Sequence, residues 1–343
     1  MVSRILLEPF HGKEYVWVYS KYLWLDIWGV HDTGWYLNVA ANGYPPGFDP
    51  AVQSNWAFFP LYPLLMRLLG GIVGSNYVAG IIISNVCLIV AAIFLYKLVK
   101  LDADKQTAFG AVKYMFLFPT AFVLSGVFTE SLFLLLAITG FYYAKKGKWW
   151  AAGIAGFFLS LTKSLGIILV VPLLYEYLKT KNFKIEKIRK DILWLGLIPL
   201  GLIVFSIYNF YKTGNYLAFA YVQKAWGHGF SNPLKFIVNG SISSNLGVLF
   251  ASYFTLALLV IIIFYKKVDT PYLIFSLFLF IIPLLSIPTY ESFPRYLIAI
   301  FPLFIIFAKL GKNQYLNSLL TICFGLLQGF LMVFWANGFK LVI

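Results

Sequence analysis

Tyr77-Val78-Ala79-Gly80-Ile81-Ile82-Ile83-Ser84-Asn85-Val86-Cys87-Leu88-Ile89-Val90-Ala91-Ala92-Ile93-Phe94-Leu95-Tyr96-Lys97-Leu98 carries no charge before Lys97. A helix needs about 20 mostly apolar residues to cross roughly 30 Å of hydrocarbon, and this run meets that requirement. Lys97, Lys100 and Lys105 cluster at its far end. Basic loops are retained in the cytoplasm, so the start of the run is expected outside. The whole chain follows the same pattern: of 343 residues 61% are hydrophobic and 12% charged, against about 25% charged in a soluble domain. The expected fold is all-α, a polytopic helical membrane protein.

Downstream, further apolar runs read as spans: Thr107 to Leu124, Phe128 to Ala144, Trp149 to Leu161, Leu165 to Leu178, Ile192 to Phe210, Leu246 to Tyr265, Pro271 to Pro288, Leu297 to Ala308 and Leu316 to Trp335. Alternate loops are basic: Lys145, Lys146 and Lys148; then Lys179, Lys181, Lys184, Lys187, Arg189 and Lys190; then Lys266 and Lys267; then Lys309 and Lys312. The pass predicts about ten transmembrane helices, with interfacial helices in outer loops. Residues 1–343 form a single integral membrane domain, with an N-terminal segment and first outer loop (1–76), transmembrane helices (77–210), an outer loop (211–245) and C-terminal transmembrane helices (246–343). The formal charge of +14 resides in short loops, which points to a lipid bilayer as partner and not to nucleic acid. Cys87 and Cys323 lie in separate apolar runs, and His11, His31 and His228 have no metal-ligand spacing. No cofactor and no metal are indicated, and neither a phosphate-binding loop nor a dinucleotide fingerprint is present.

Upstream lies the longest aromatic and polar interval, His31-Asp32-Thr33-Gly34-Trp35-Tyr36-Leu37-Asn38-Val39-Ala40-Ala41-Asn42-Gly43-Tyr44-Pro45-Pro46, followed by Asn55-Trp56-Ala57-Phe58-Phe59-Pro60-Leu61-Tyr62-Pro63. Asp32 is a suitable cap for a short helix, on which Trp35, Tyr36 and Val39 share a face and which Gly43 and the prolines end. The alternating loops place Asp32, Asp49, Glu130, Lys163, Lys224, His228, Glu291 and Arg295 together on the outer side. Charges near a bilayer are costly and mark substrate pathways, so a mixed outer site follows as an expectation. Each residue also has a plainer reading. Asp32 is either a cap or a base, and if only a cap, Asn should replace it at little cost. The Trp and Tyr cluster is either a site or an interface belt. Lys163 and Arg295 are either snorkelling side chains or anion ligands, and Glu130 and Glu291 can pair with them.

The stretch Asp32-Thr33-Gly34-Trp35-Tyr36-Leu37, with Ala40, Gly43-Tyr44 and Ala57-Phe58-Phe59-Pro60-Leu61-Tyr62-Pro63, resembles the first outer loop of PIG-V-type mannosyltransferases of the GT-C superfamily. Phe118-Pro119-Thr120-Ala121-Phe122, Thr129-Glu130-Ser131-Leu132-Phe133, Leu161-Thr162-Lys163, Pro294-Arg295-Tyr296 and Phe301-Pro302-Leu303 extend the resemblance over about residues 30 to 310. His31 stands where the family usually shows Trp and Lys163 where it commonly shows Arg, and no convincing span precedes Asp32. The resemblance implies a multi-pass, GT-C-like enzyme of the cell membrane with its active site on the extracytoplasmic side. It implies inverting transfer of a sugar, typically mannose, from a polyprenyl-phosphate donor to a lipid-linked or glycan acceptor, with Asp32 in the place of the family's first-loop aspartate.

One carboxylate suffices for this chemistry, because phosphate leaves as a stable anion and calls for positive charge where a glycoside hydrolase must supply a proton. Asp32 would then be the general base. Lys163, Arg295, His228 and Lys224 would hold the donor phosphate, and Trp35, Tyr36, Phe58, Tyr62, Glu130 and Glu291 would contact substrate. The alternative is a transporter or flippase of lipid-linked glycans. It needs access from both sides, and the scarcity of charge in the inner halves of the spans weighs against it.

Overall fold

Ser75 opens the longest helix by accepting a hydrogen bond from the Val78 amide, and the helix runs without interruption over Asn76–Asp102. The structure, a computed structural model, describes residues 18–229, 255–286 and 293–338. Glu291, one of the expected substrate contacts, lies outside them. Among the described residues the secondary structure is helical, with no strands. In chain order the helices used below are α1 (Thr33–Asn42), α2 (Leu61–Val73), α3 (Asn76–Asp102), α4 (Lys105–Leu117), α5 (Glu130–Lys145), α6 (Trp149–Thr162) and α7 (Val170–Thr180). They are followed by α8 (Leu197–Thr213), α9 (Thr270–Ser286), α10 (Phe293–Ile298), α11 (Pro302–Leu310) and α12 (Gln314–Ala336).

Among the described residues three helical segments are long and apolar enough to cross a membrane: α3, Lys190–Thr213 (a 3-10 stretch continuing into α8) and α12. Each turns large apolar side chains outward: Ile82, Val86, Ile89 and Ile93 on α3, Ile203, Val204 and Ile207 on α8, and Leu319, Ile322, Leu326 and Phe330 on α12. Contiguous exposed apolar stripes of this kind would be unfavourable in water, and they suit a helical membrane protein. Helices also occupy the other expected spans where these are described, but in shorter or broken form. The run Thr107 to Leu124 ends as α4 at Leu117. Phe118 is extended before Pro119, as the steric demand of a following proline requires, and a 3-10 turn covers Ala121–Ser125. Likewise α6 stops at Thr162, Lys163 is extended, and a 3-10 stretch over Ser164–Leu169 leads into α7. The sequence expectation of a turn at Thr162-Lys163-Ser164 matches this break.

Glycines set the close approaches. A Cβ on Gly153 of α6 would lie 2.1 Å from the Trp194 carbonyl oxygen, and one on Gly201 of α8 would lie 2.3 Å from that of Phe157. Without hydrophobic attraction between helices in lipid, such small-residue contacts allow the dispersion packing that holds them. The largest core joins α3, α4, α5, α6, α9 and α11. A second core places α1 and α2 against α3, the 122–128 segment and Trp335 at the end of α12. This second core fixes the aromatic stretch that carries α1 and α2 onto the bundle.

Candidate active site

The short helix α1 forms as its sequence dictates: it ends at Gly43, whose φ of 73° is in the left-handed region that glycine adopts without strain. Tyr36, Val39 and Ala40 are buried against the bundle. Asp32 stands at the position before the first turn, but its side chain makes no capping bond. The capping expectation is therefore corrected. Arg295 Nη1 donates to Asp32 Oδ2 at 2.6 Å, and a charge-assisted bond to a guanidinium is stronger than a bond to a neutral backbone amide of the first turn.

Arg295 connects two carboxylates. Its Nε lies 3.4 Å from Glu130 Oε1, and Lys163 Nζ donates to the same oxygen at 2.7 Å. The four groups thus form a chain in which two carboxylates and two cations alternate, Asp32, Arg295, Glu130, Lys163. Glu130 and Arg295 side chains are only 2% and 8% exposed, whereas Asp32 and Lys163 retain 22% and 21%. The inner pair anchors the chain, and the two end groups keep part of their surface accessible. Burial disfavours the charge on Arg295, but Asp32 and Glu130 beside it outweigh that and keep its pKa well above the ordinary guanidinium value. Aromatic rings complete the seat: the Arg295 guanidinium is 5.4 Å from the Phe128 ring centroid and 5.8 Å from that of Tyr296, and Lys163 Nζ is 5.4 Å from Tyr296. Cation–π attraction at these distances is worth about 0.5–2 kcal/mol per contact. Thr120 Oγ1 donates to the Pro294 carbonyl at 3.1 Å and so holds the turn that carries Arg295. A crevice of about 10 Å³ between Glu130, Lys163, Arg295 and Tyr296 has room for about one water.

His228 sits near these charges. Its Nδ1 is 2.8 Å from Gln223 Oε1. Burial lowers its pKa below the ordinary 6.5, and the positive charge of Arg295 adds to this while Asp32 opposes it. The segment before it folds back on α1 and the stretch before α2, with Trp226 edge-on to Trp35 at 5.6 Å and to Phe58 at 5.9 Å. Among the described residues Lys224 makes no ion pair with the cluster: it is exposed, with Nζ 5.8 Å from the Tyr221 ring. Asp49 is an exposed turn residue that accepts from the Ala51 amide at 2.8 Å.

Of the aromatic residues expected to contact substrate, Trp35 is half-buried and stacks on Phe58 at 5.7 Å. Tyr36 and Phe58 are buried and edge-on to each other at 5.1 Å. Tyr62 has 0% exposure, and its hydroxyl is bonded to the Gly80 carbonyl and to Ser84. That hydroxyl ties α2 to α3 and offers no free surface. Sequence reasoning missed the contributions of Phe128, Thr120 and Trp226. Thr120 stood inside the Phe118-Pro119-Thr120-Ala121-Phe122 motif without a role, Phe128 only preceded the Thr129-Glu130 segment, and Trp226 lay in the 211–245 loop. Among the described residues no group of three or more His, Cys, Asp or Glu side chains is placed to hold a metal ion.

Residues 57–209 match the family model described as dolichyl-phosphate-mannose-protein mannosyltransferase. The match includes Glu130 and Lys163, whereas Asp32 and Arg295 lie outside it. No curated protein and no solved structure matches the chain. Over that stretch the chain is similar to mannosyltransferases of the GT-C type, and this similarity supports a membrane glycosyltransferase.

Proposed function

We propose that the protein transfers a sugar, mannose by preference, from a polyprenyl-phosphate donor to a hydroxyl of a lipid-linked or glycan acceptor on the extracytoplasmic side, in the manner of the PIG-V-type enzymes. The observation that carries this reading is a partly exposed carboxylate, Asp32, 2.6 Å from a buried guanidinium that is shared with Glu130. The acceptor oxygen attacks the anomeric carbon as the bond from that carbon to the phosphate oxygen breaks. The bonding pair leaves with the phosphate, and Asp32 takes the hydroxyl proton, inverting the configuration. Arg295 and Lys163 stabilise the growing phosphate charge. In the free protein both cations are held by carboxylates, so the donor phosphate competes with Asp32 and Glu130 for them. Arg295 exchanging a carboxylate for a phosphate leaves Asp32 free to act as a base.

Incubation of purified protein with polyprenyl-phosphate mannose and a native lipid extract, followed by mass spectrometry, tests the activity. Asp32→Asn should reduce transfer by about two to four powers of ten. It should also lower stability by about 1–3 kcal/mol, because Arg295 loses a charged partner. This replaces the expectation that Asn is neutral at a cap. Thermal melting of the same samples separates the two effects, and Asp49→Asn should be mild in both. Transfer by Asp32→Asn at the parental rate would sink the assignment.

A further inference from the structure

At the end of the bundle that carries the basic loops, a cavity of about 220 Å³ opens between the last turn of α3 (Val99, Asp102), Asp269 just before α9 and Tyr272 in its first turn, the preceding turn (Lys267) and Lys309 of α11. It exceeds the roughly 150 Å³ cavity that accommodates a benzene ring, and it falls short of the ~300–1,000 Å³ typical of sites for larger ligands. A single small headgroup is the size it fits.

The carboxylates around it are already engaged. Lys145 Nζ lies 2.7 Å from Asp102 and 2.6 Å from Asp269, and Lys179 Nζ lies 2.7 Å from the other Asp269 oxygen and 3.9 Å from Glu176. Those bonds outweigh burial and hold the Asp269 pKa below the ordinary carboxylate value, so it stays charged and paired. Lys309 Nζ, by contrast, donates to the Lys267 carbonyl at 2.5 Å, and no carboxylate is recorded within ion-pair distance of Lys309 or Lys267 among the described residues. Lys312, one turn on, is bonded to Asp104 at 2.7 Å. Four ammonium groups (Lys145, Lys179, Lys267 and Lys309) therefore surround three carboxylates (Asp102, Glu176 and Asp269), an excess of one positive charge. Burial lowers the Lys309 pKa; Asp102 and Asp104 oppose this, and the like charges of Lys267 and Lys312 reinforce it. A monoanion in the cavity would relieve that repulsion.

We infer that this cavity binds one phosphate group through Lys309 and Lys267, at a site remote from the Asp32 cluster. A phosphodiester of an anionic lipid headgroup and free inorganic phosphate share this chemistry, and the lipid would reach the site from the adjoining leaflet. The inference does not depend on the proposed transferase activity.

The test compares wild-type protein with Lys267→Gln/Lys309→Gln, and with Lys184→Gln as an exposed basic control. Thermal melting is followed in detergent during titration with inorganic phosphate, and in nanodiscs of phosphatidylcholine alone or mixed equally with phosphatidylglycerol. Stabilisation by inorganic phosphate or by phosphatidylglycerol is expected, and which arm responds identifies the source. The response should weaken at least tenfold in the double variant, persist in Lys184→Gln and be largely kept by Lys309→Arg. If the double variant does not fold, Lys309→Gln alone is read in the same titration and should weaken binding. Absence of a wild-type response in both arms would overturn the inference, as would an equal response in the Gln variants or an equal loss in Lys184→Gln.

Discussion

Arg295 is the residue on which the Asp32 cluster depends, since among the described residues it is the one ion-paired to both Asp32 and Glu130. Breaking a buried ion pair from one side costs about 3–5 kcal/mol, so Arg295→Ala should destabilise the fold as well as remove a phosphate ligand. Arg295→Lys keeps the charge but not the planar fork. Its expected outcome is a nearly normal melting temperature with donor affinity or turnover reduced about ten- to hundredfold, as loss of a charged hydrogen bond implies. Lys163→Ala should show a similar loss of transfer, and wild-type kinetics in both variants would refute the phosphate role. His228 gives a pH signature. Its folded pKa lies below the ordinary 6.5 because of burial and Arg295, so as pH falls the unfolded chain takes up the proton first. The stability linked to His228 is complete above about pH 6.5 and is lost as pH drops through the lower folded value. Melting between pH 7 and pH 5 should show this decline, and His228→Gln should flatten it. An unchanged slope in that variant would show that other groups carry it.

The helices are held together by what their glycines permit. Gly153 of α6 faces the backbone of Trp194 at the start of the Lys190–Thr213 segment, where an added Cβ would meet a carbonyl oxygen at 2.1 Å. Backbone cannot rotate aside as a side chain can, so Gly153→Ala should cost about 1–3 kcal/mol through overpacking. Gly71 of α2 is the matched contrast: it is exposed within a helix, and an added Cβ meets nothing within 4 Å. Gly71→Ala should stabilise by about 0.5–1 kcal/mol through helix propensity. Opposite signs in the two melting curves are expected, and equal shifts would contradict the packing account. The same scale explains α1, a short helix that lies on α2 and α3 through Tyr36 and Val39 and so holds Asp32 at the mouth of the cluster.

Among the described residues the buried ion pairs gather into an Asp32 cluster and an Asp269 cluster at opposite ends of α5, which gives Glu130 to the first and Lys145 to the second. We propose from the alternation of basic loops that the first faces outside and the second the cytoplasm. Single cysteines at Lys187 and His228, in a background without Cys87 and Cys323, test this with an impermeant thiol reagent on intact cells. Labelling at 228 and protection at 187 are expected. The reverse pattern would invert the topology and remove the extracytoplasmic assignment of the site.

What the sequence determined by itself is local in origin. Apolar runs such as Tyr77 to Leu98 dictate helix because a membrane solvent leaves backbone groups no other partners. The boundaries follow from caps and breakers within a few residues: Ser75, Asp104 and Asn313 accept amides of the helices they precede, and Gly43 and Gly74 end theirs with positive φ. The positions of Asp32, Glu130, Lys163 and Arg295 at or near helix ends were legible for the same reason. Their pairing was not, because Asp32 and Arg295 are 263 residues apart and meet only when α1 and α10 are seated on the bundle. Only tertiary structure decided that Asp32 bonds a guanidinium in place of capping α1, that Tyr62 is consumed by a hydrogen bond to α3, and that Lys224 stays apart. A side chain's choice among partners is set by which groups packing brings within about 3 Å, and sequence spacing carries no such distance.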